Sequence, residues 1–349
     1  MAFLLSLANL NLHICLLFSI QKMIIVQKPD QLEGNKIVLT MGFFDGVHRG
    51  HRALTDLVLK RATELSLRSA VLTFWPHPRL VLNKDPHKLR FLTTLNEKSK
   101  IFQRLGFDFF IIQEFNPSTA QLSAEDFLKL LIESYNVKHF IIGKDHRFGR
   151  NAEGDVQTLT KFSSKLQFTF EEVDIIEEFN TNISSTKIRE ALRNGEIKKA
   201  NEMLGYPYLL NGTIETGSQV GRTIGFPTAN IRPIDPLKLI PAEGVYAVLI
   251  NLNGRFEKGM MNIGKRPTID NTEQLTIEVN IFNFSDDIYH QKIDIAFIDR
   301  VRDEKKFPDI EHLKSQLAQD KIAITEILDS YNPSNFGKYF ITLPHNKVL

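Results

Sequence analysis

The chain has 349 residues, of which 42% are hydrophobic and 24% charged, an ordinary soluble composition with length for two or three domains. Its 43 Lys and Arg against 41 Asp and Glu leave a formal net charge of +2, which gives no support for coating a nucleic acid or another polyanion. The single cysteine, Cys15, excludes an internal disulfide framework and any multi-cysteine zinc site, so the composition reads as that of a cytoplasmic globular enzyme.

Phe3 to Ile20 is an uncharged run. About 18 apolar residues is the lower limit for a membrane span, and Ser6, Asn9, Asn11, His13 and Ser19 interrupt this one. No basic region precedes it, as a secretory signal requires. Residues 1–22 are expected to be an apolar extension ahead of Met23, with a targeting or membrane-facing segment as the alternative. From Lys36 onward, short apolar runs alternate with helical patterns. Strands are expected at Ile37–Thr40, Ser69–Phe74, Phe109–Ile112, His139–Ile142 and Thr169–Val173. Between them lie helices at His51–Leu65, at Leu95–Leu105 before the stop at Gly106, from a Ser123 cap to Ser134, and at Gly154–Ser163. Ser184 or Ser185 caps a final helix that ends at Gly195. Strands separated by helices argue for a doubly wound parallel sheet, an α/β domain over residues 23–195.

The period changes at about residues 195–208. Strands at Leu209–Thr213, Gly244–Leu252, Lys258–Ile263, Thr276–Phe282 and Lys292–Phe297 follow with no long helix between them, which suggests a small antiparallel β-barrel. Alternation within 276–281 points Ile277, Val279 and Ile281 one way and Glu278 the other. One helix, Asp309 to about Leu328, completes a second domain at 206–330. The tail at 331–349 carries no legible motif.

Two constellations carry chemistry. The first strand runs through Gly42, Phe44, Asp45, Gly46, His48 and Gly50 to His51 and then into a helix. The glycines let the backbone approach a ligand closely, and the helix N-terminus suits phosphate. His48 and His51, three apart, share the first turn and can clamp a phosphoryl group that gains charge in its transition state. The bland alternative is a turn whose histidines cap and pack. Hydroxyls at the later cap, with Arg189 close by, form a second candidate phosphate site. The other constellation is the loop Gly217 to Asn230. Gly221, Arg222 and Gly225 would line a closely approached loop, while Thr228 and Asn230 present hard oxygen ligands two apart that suit Mg2+ with ATP. Glu278 could accept a proton from a substrate hydroxyl, although alone it reads equally as a solvent-facing strand residue. Gly259 to Arg266 is a near miss for a P-loop, and it is rejected because Arg266 stands where Ser or Thr must hold magnesium and no helix follows.

GFFDGVHRGH, at Gly42–His51, resembles the nucleotidylyltransferase signature in the form found in bacterial FAD synthetases. TFWPHPR at 73–79, GKDHRFG at 143–149 and ISSTKIR at 183–189 resemble three further segments of that family, with His146 where Phe is usual. GRTIGFPTANI at 221–231 resembles the flavokinase signature, as do NIGKRPT at 262–268, the Glu278-Val279-Asn280 segment with Asn280 in place of a common His, and VRDEKKF at 301–307. Together the chain resembles the bifunctional bacterial riboflavin kinase/FAD synthetase family over about 23–328. The resemblance implies a nucleotidylyltransferase-like α/β domain followed by a flavokinase-like barrel with a C-terminal helix. It implies that riboflavin is phosphorylated to FMN by ATP and FMN adenylylated to FAD. In that reading His48 and His51 stabilise the α-phosphorus, and Gly42, Phe44, Gly50, Ser185, Thr186 and Arg189 hold nucleotide phosphates. Asp145 and Arg147 lie on the flavin side. In the barrel Thr228 and Asn230 hold Mg2+, Glu278 is the base, and Asn262, Arg302 and Glu304 meet the flavin. Only small-molecule partners are expected, with no nucleic acid and no membrane, in a monomer or weak homo-oligomer. The rival readings are an adenylyltransferase for another phosphate ester with a non-catalytic flavin-binding barrel, and a non-catalytic flavin sensor.

Overall fold

The computed structural model describes residues 23–83, 85, 89–174, 183–216, 224–252, 255–267 and 273–332. The apolar extension 1–22, the tail from 333, Gly221 and Arg222 lie outside the described residues. The chain forms two compact units, one of Met1–Phe43, Ala53–Lys84 and Ser99–Glu178, the other of Phe44–Arg52, Asp85–Lys98 and Phe179–Leu349.

The first unit is built on a parallel sheet. Its strands are β1 (Ile24–Val26), β2 (Ile37–Met41), β3 (Arg68–Trp75), β4 (Phe109–Glu114), β5 (Val137–Gly143) and β6 (Thr169–Val173), in the order β1-β4-β3-β2-β5-β6. Every residue of β2 is buried, as expected for a parallel strand covered on both faces. Leu39, Leu72 and Phe140 centre the core, and Phe127, Leu128, Leu159 and Phe162 pack onto it from helices. The chain turns direction across the sheet at β2 and β5, and the carboxyl edge at such a switch is where ligands bind in open α/β sheets.

The expected helices form as α1 (Arg52–Glu64), α2 (Leu95–Leu105), α3 (Ala124–Lys129) and α4 (Val156–Leu166). The Ser123 hydroxyl accepts from the amide of Asp126, and the last turn of the expected helix, Leu130–Ser134, widens into a π turn. Gly154 does not begin α4. It pairs with Phe148 in a short bridge whose ring fills the space of a Cβ at 154, and Asp155 caps the helix instead. The three residues of β1 are too few to show a period, and sequence patterning missed them.

In the second unit, helices α5 (Ser185–Arg193) and α6 (Ile197–Leu204) precede a closed antiparallel barrel. Its strands are β7 (Tyr208–Glu215), β8 (Ala229–Pro233), β9 (Gly244–Leu252), β10 (Arg255–Pro267), β11 (Glu273–Ile281) and β12 (Lys292–Arg302), in the order β10-β11-β8-β7-β12-β9. Ser184, not Ser185, caps α5. Gly195, in the left-handed conformation, ends the α5 segment as expected, but a further helix, α6, follows at once. Strand β8 was also unforeseen, because Pro227 and Pro233 bracket it and break the pattern. Helix α7 (Ile310–Ser330), capped by Asp309, buries Ile324 and Leu328 against Val245, Met260 and Phe282 on the outside of the barrel. The rejected P-loop segment is simply part of β10, with no helix after it.

Candidate active sites

The histidine loop lies in the second unit. His48 and His51 are brought together by a 3-10 turn at Arg49–His51, with their rings stacked at 3.8 Å and 16°. Phe44 is buried and packs edge-on against His51 at 5.2 Å. Gly50 lets the His48 imidazole pack closely on the turn, since a Cβ there would lie 3.1 Å from that ring. The loop is pinned at Asp45. One carboxylate oxygen accepts from the amides of Leu92 (2.9 Å) and Thr93 (3.1 Å), and the other meets the Arg189 guanidinium. The Ser185 hydroxyl donates to the Asp45 carbonyl at 2.8 Å, so the first turn of α5 closes on the same loop. Arg189 also donates to the Arg90 carbonyl, and Thr186 is exposed on the first turn of α5. The sequence therefore names residues that do converge, but it missed Asp45 and Thr93 as the fixings that hold them.

Burial sets the electrostatics. It pushes the His48 imidazole down to about 4; Asp45 opposes this and Arg189 reinforces it. Burial, then the neighbouring His48 and Lys98, holds His51 well below its ordinary value. Lys98 itself is lowered by burial to about 8, with Asp45 opposing. Both imidazoles are thus neutral at pH 7, and the Nδ1 atom of each is buried with no hydrogen-bond partner among the described residues. A buried polar atom left open in this way is poised for a ligand. The His48 shift is also a stability statement. The unfolded chain binds a proton below about pH 6.5 that the folded loop refuses until about pH 4, so stability is complete above 6.5 and falls as pH drops through that window. Urea unfolding at pH 5 and pH 7.5 is expected to show this loss in the native chain and a smaller one in His48→Asn.

In the first unit, the chain leaves β5 in a tight turn closed by His146 N–H donating to the Gly143 carbonyl at 2.9 Å. Asp145 and Arg147 are exposed on that turn, and Gly42 and Phe43 leave the neighbouring β2 at the same sheet edge. His146 keeps an aromatic stack, its ring 6.2 Å from and 23° to Phe148, and burial lowers its imidazole to about 4, so it stacks as a neutral ring. Phe43 lies against the His77 ring at 4.6 Å.

The barrel site follows from register. Glu278 of β11 stands opposite Asn262 of β10 on one side and Asn230 of β8 on the other. Directly opposed residues share a sheet face, so three polar side chains form one row. Thr228 Oγ1 donates to Glu278 Oε2 at 3.4 Å. The face of β11 that carries Glu278 lines a cavity of about 300 Å3 that α7 walls on another side. Glu278, Asn262, Thr228, Arg302 and Glu304 line it, with Leu313 and Leu317 of α7 as apolar wall. A second cavity of about 570 Å3 opens beside the same loop, lined by Pro227, Thr228, Val279, Asp286, Asp287 and Tyr289. Thr228 belongs to both walls. The 284–289 turn was missed by sequence reading, where its paired acids and Tyr289 look like an ordinary connection.

Four further residues belong to the barrel motifs. Gly264 leaves room for the Glu304 carboxylate, which lies in the space that a Cβ there would take. Gly225, at φ 83°, turns the loop before Pro227. Arg302 lines the cavity, but its guanidinium is already committed to Asp320 of α7, at 3.0 and 2.7 Å, so it offers its flank rather than a free charge. Asn280, buried at 5% exposure, donates to the Pro227 carbonyl at 2.7 Å and so fastens the Thr228 loop to β11. Asn280→Ala is expected to cost about 1–3 kcal/mol in urea unfolding, as the carbonyl is left unpaired.

Two family models match in tandem, FAD synthetase over residues 30–187 and riboflavin kinase over residues 204–328. The bifunctional riboflavin kinase/FMN adenylyltransferase of Listeria monocytogenes is 39% identical over 81% of this chain and 90% of its own length. The enzyme of the same name from Bacillus subtilis is 38% identical over 83% and 92%, and that from Escherichia coli 35% identical over 85% and 94%. The chain belongs to the bifunctional riboflavin kinase/FMN adenylyltransferase family. Its fold is likewise that of a solved structure from Streptococcus pneumoniae, described as a macrolide-efflux protein, with TM-score 0.77 and 30% identity over 89% of this chain and 99% of that one. No helix among the described residues of this flavin-enzyme relative is long and apolar enough to cross a membrane.

Proposed function

We propose that the two reactions of the family are divided between residues 23–195, which adenylylate FMN, and residues 206–330, which phosphorylate riboflavin. The observation that carries the second assignment is Thr228, which lines both barrel cavities and bonds Glu278. Riboflavin fits the apolar-walled cavity that holds Glu278, Asn262 and Glu304, and ATP fits the larger one beside it. The ribityl hydroxyl oxygen attacks the γ-phosphorus, ADP leaves, and Glu278 takes the hydroxyl proton. Thr228 and Asn230, hard oxygen donors beside a carboxylate, fit Mg2+, which when bound neutralises phosphate charge. Glycines at 221 and 225 and Arg222 complete the loop in this reading.

In adenylyl transfer an FMN phosphate oxygen attacks the α-phosphorus of ATP, and pyrophosphate leaves. His48 and His51 enter neutral, and each ring still donates one N–H to the oxygens that gain charge. Arg189, Ser185 and Thr186, with the backbone at Gly42, Phe44 and Gly50, hold the phosphates, and Asp145 and Arg147 serve the flavin side. The protein acts in the cytoplasm as a monomer or weak homo-oligomer on small molecules alone. A non-catalytic barrel serving some other adenylyltransferase is disfavoured by the convergence of Thr228, Asn230 and Glu278 on one face. The test is an end-point incubation of the purified chain with riboflavin, ATP and Mg2+, products being separated by chromatography. FMN followed by FAD is expected. FMN that is never converted, even when supplied, would remove the first assignment, and FAD formed only from added FMN would remove the second.

A further inference from the structure

The second unit contains an ion pair that neither reaction uses. Lys238 and Glu97 are joined at 2.6 Å, with side chains 1% and 0% exposed. A pair so buried is a poor source of stability, because desolvation consumes most of the attraction. Its hydrogen bonds show where the interaction goes instead. Lys238 Nζ also donates to the Leu92 carbonyl at 2.6 Å, and Glu97 accepts from the amides of Thr94 (2.9 Å) and of Asn211 in β7 (3.0 Å). The Lys238 ammonium lies 4.3 Å from the centre of the Tyr208 ring.

The backbone around the pair is laced as well. Phe91 bridges in parallel to Lys238, its amide donating to the Leu237 carbonyl at 2.7 Å and its carbonyl accepting from Leu239 at 2.8 Å. The next two residues, Leu92 and Thr93, are those whose amides hold Asp45. Thr93 Oγ1 accepts the Gly46 amide at 3.0 Å, two residues before His48. Lys238 itself follows β8, the strand that carries Asn230, by five residues. We propose that the Lys238–Glu97 pair is a positioning device for adenylyl transfer, by which the kinase barrel fixes segment 91–94 and, through Asp45, the histidine loop. The proposal rests on the reading of His48 and His51 as the adenylyl-transfer pair.

The test uses the full chain with Lys238→Met and Glu97→Gln, and follows FAD formation from supplied FMN alongside FMN formation from riboflavin. In at least one variant, FAD formation is expected to fall about ten- to hundredfold in kcat, with KM for FMN and the kinase rate within about twofold. The loss in Lys238→Met is expected not to add to that in Asp45→Asn, because both act through one carboxylate. FAD formation that stays within about twofold, losses that multiply with Asp45→Asn, or kinase and adenylyl transfer falling in proportion in both variants would each overturn the proposal. His51→Ala, run in parallel, separates the two levels. If that variant still makes FAD, the site reading fails and takes this proposal with it.

Discussion

His51→Ala is expected to lower FAD formation from FMN by a factor of about 10²–10³ while FMN formation from riboflavin continues unchanged. The size follows from the geometry. His51 is half-buried, stacked on the buried His48 and held neutral by desolvation, so its ring gives a donor preorganised toward the phosphoryl group. Alanine removes the donor and the stacking partner of His48 together. The kinase residues Asn230, Glu278 and Asn262 pair with one another across β8, β11 and β10, and the ring contacts of His51 are instead with His48 and Phe44. Separate assays of the two products on one preparation check this, with the kinase rate serving as the control for folding.

Glu278→Gln should show the converse, a loss of about 10²–10⁴ in riboflavin phosphorylation with adenylylation of added FMN retained. Gln keeps the volume of Glu and an oxygen able to accept from Thr228, so the row Asn262–Glu278–Asn230 stays packed. What disappears is the basicity needed to take the ribityl proton. A change confined to KM for riboflavin would mean that Glu278 only positions the substrate.

The sequence disclosed those features that repeat or cluster locally. The buried alternation of Ile277, Val279 and Ile281 was legible, as was the spacing of His48 and His51, because each is set by the period of its own element. What escaped is non-local. Asp45 is read as one letter of a motif, yet its partners Leu92, Thr93 and Arg189 lie 47 to 144 residues away. Lys238 and Glu97 carry no pattern and meet across 141 residues. The polar face of β11 looked like a solvent face, and only the packing of α7 over Met260 and Val245 makes it the wall of a cavity. Arg302 was assigned to the flavin from its motif, whereas Asp320, one buried acid on α7, claims its charge.

One chain is thus expected to hold two separate sites, one for each reaction. Mixing the two variants above tests it most directly. With riboflavin, ATP and Mg2+, His51→Ala alone should stop at FMN and Glu278→Gln alone should make nothing, while the mixture should accumulate FAD. FAD from either variant alone, or none from a mixture in which each partner keeps its one activity, would contradict the account.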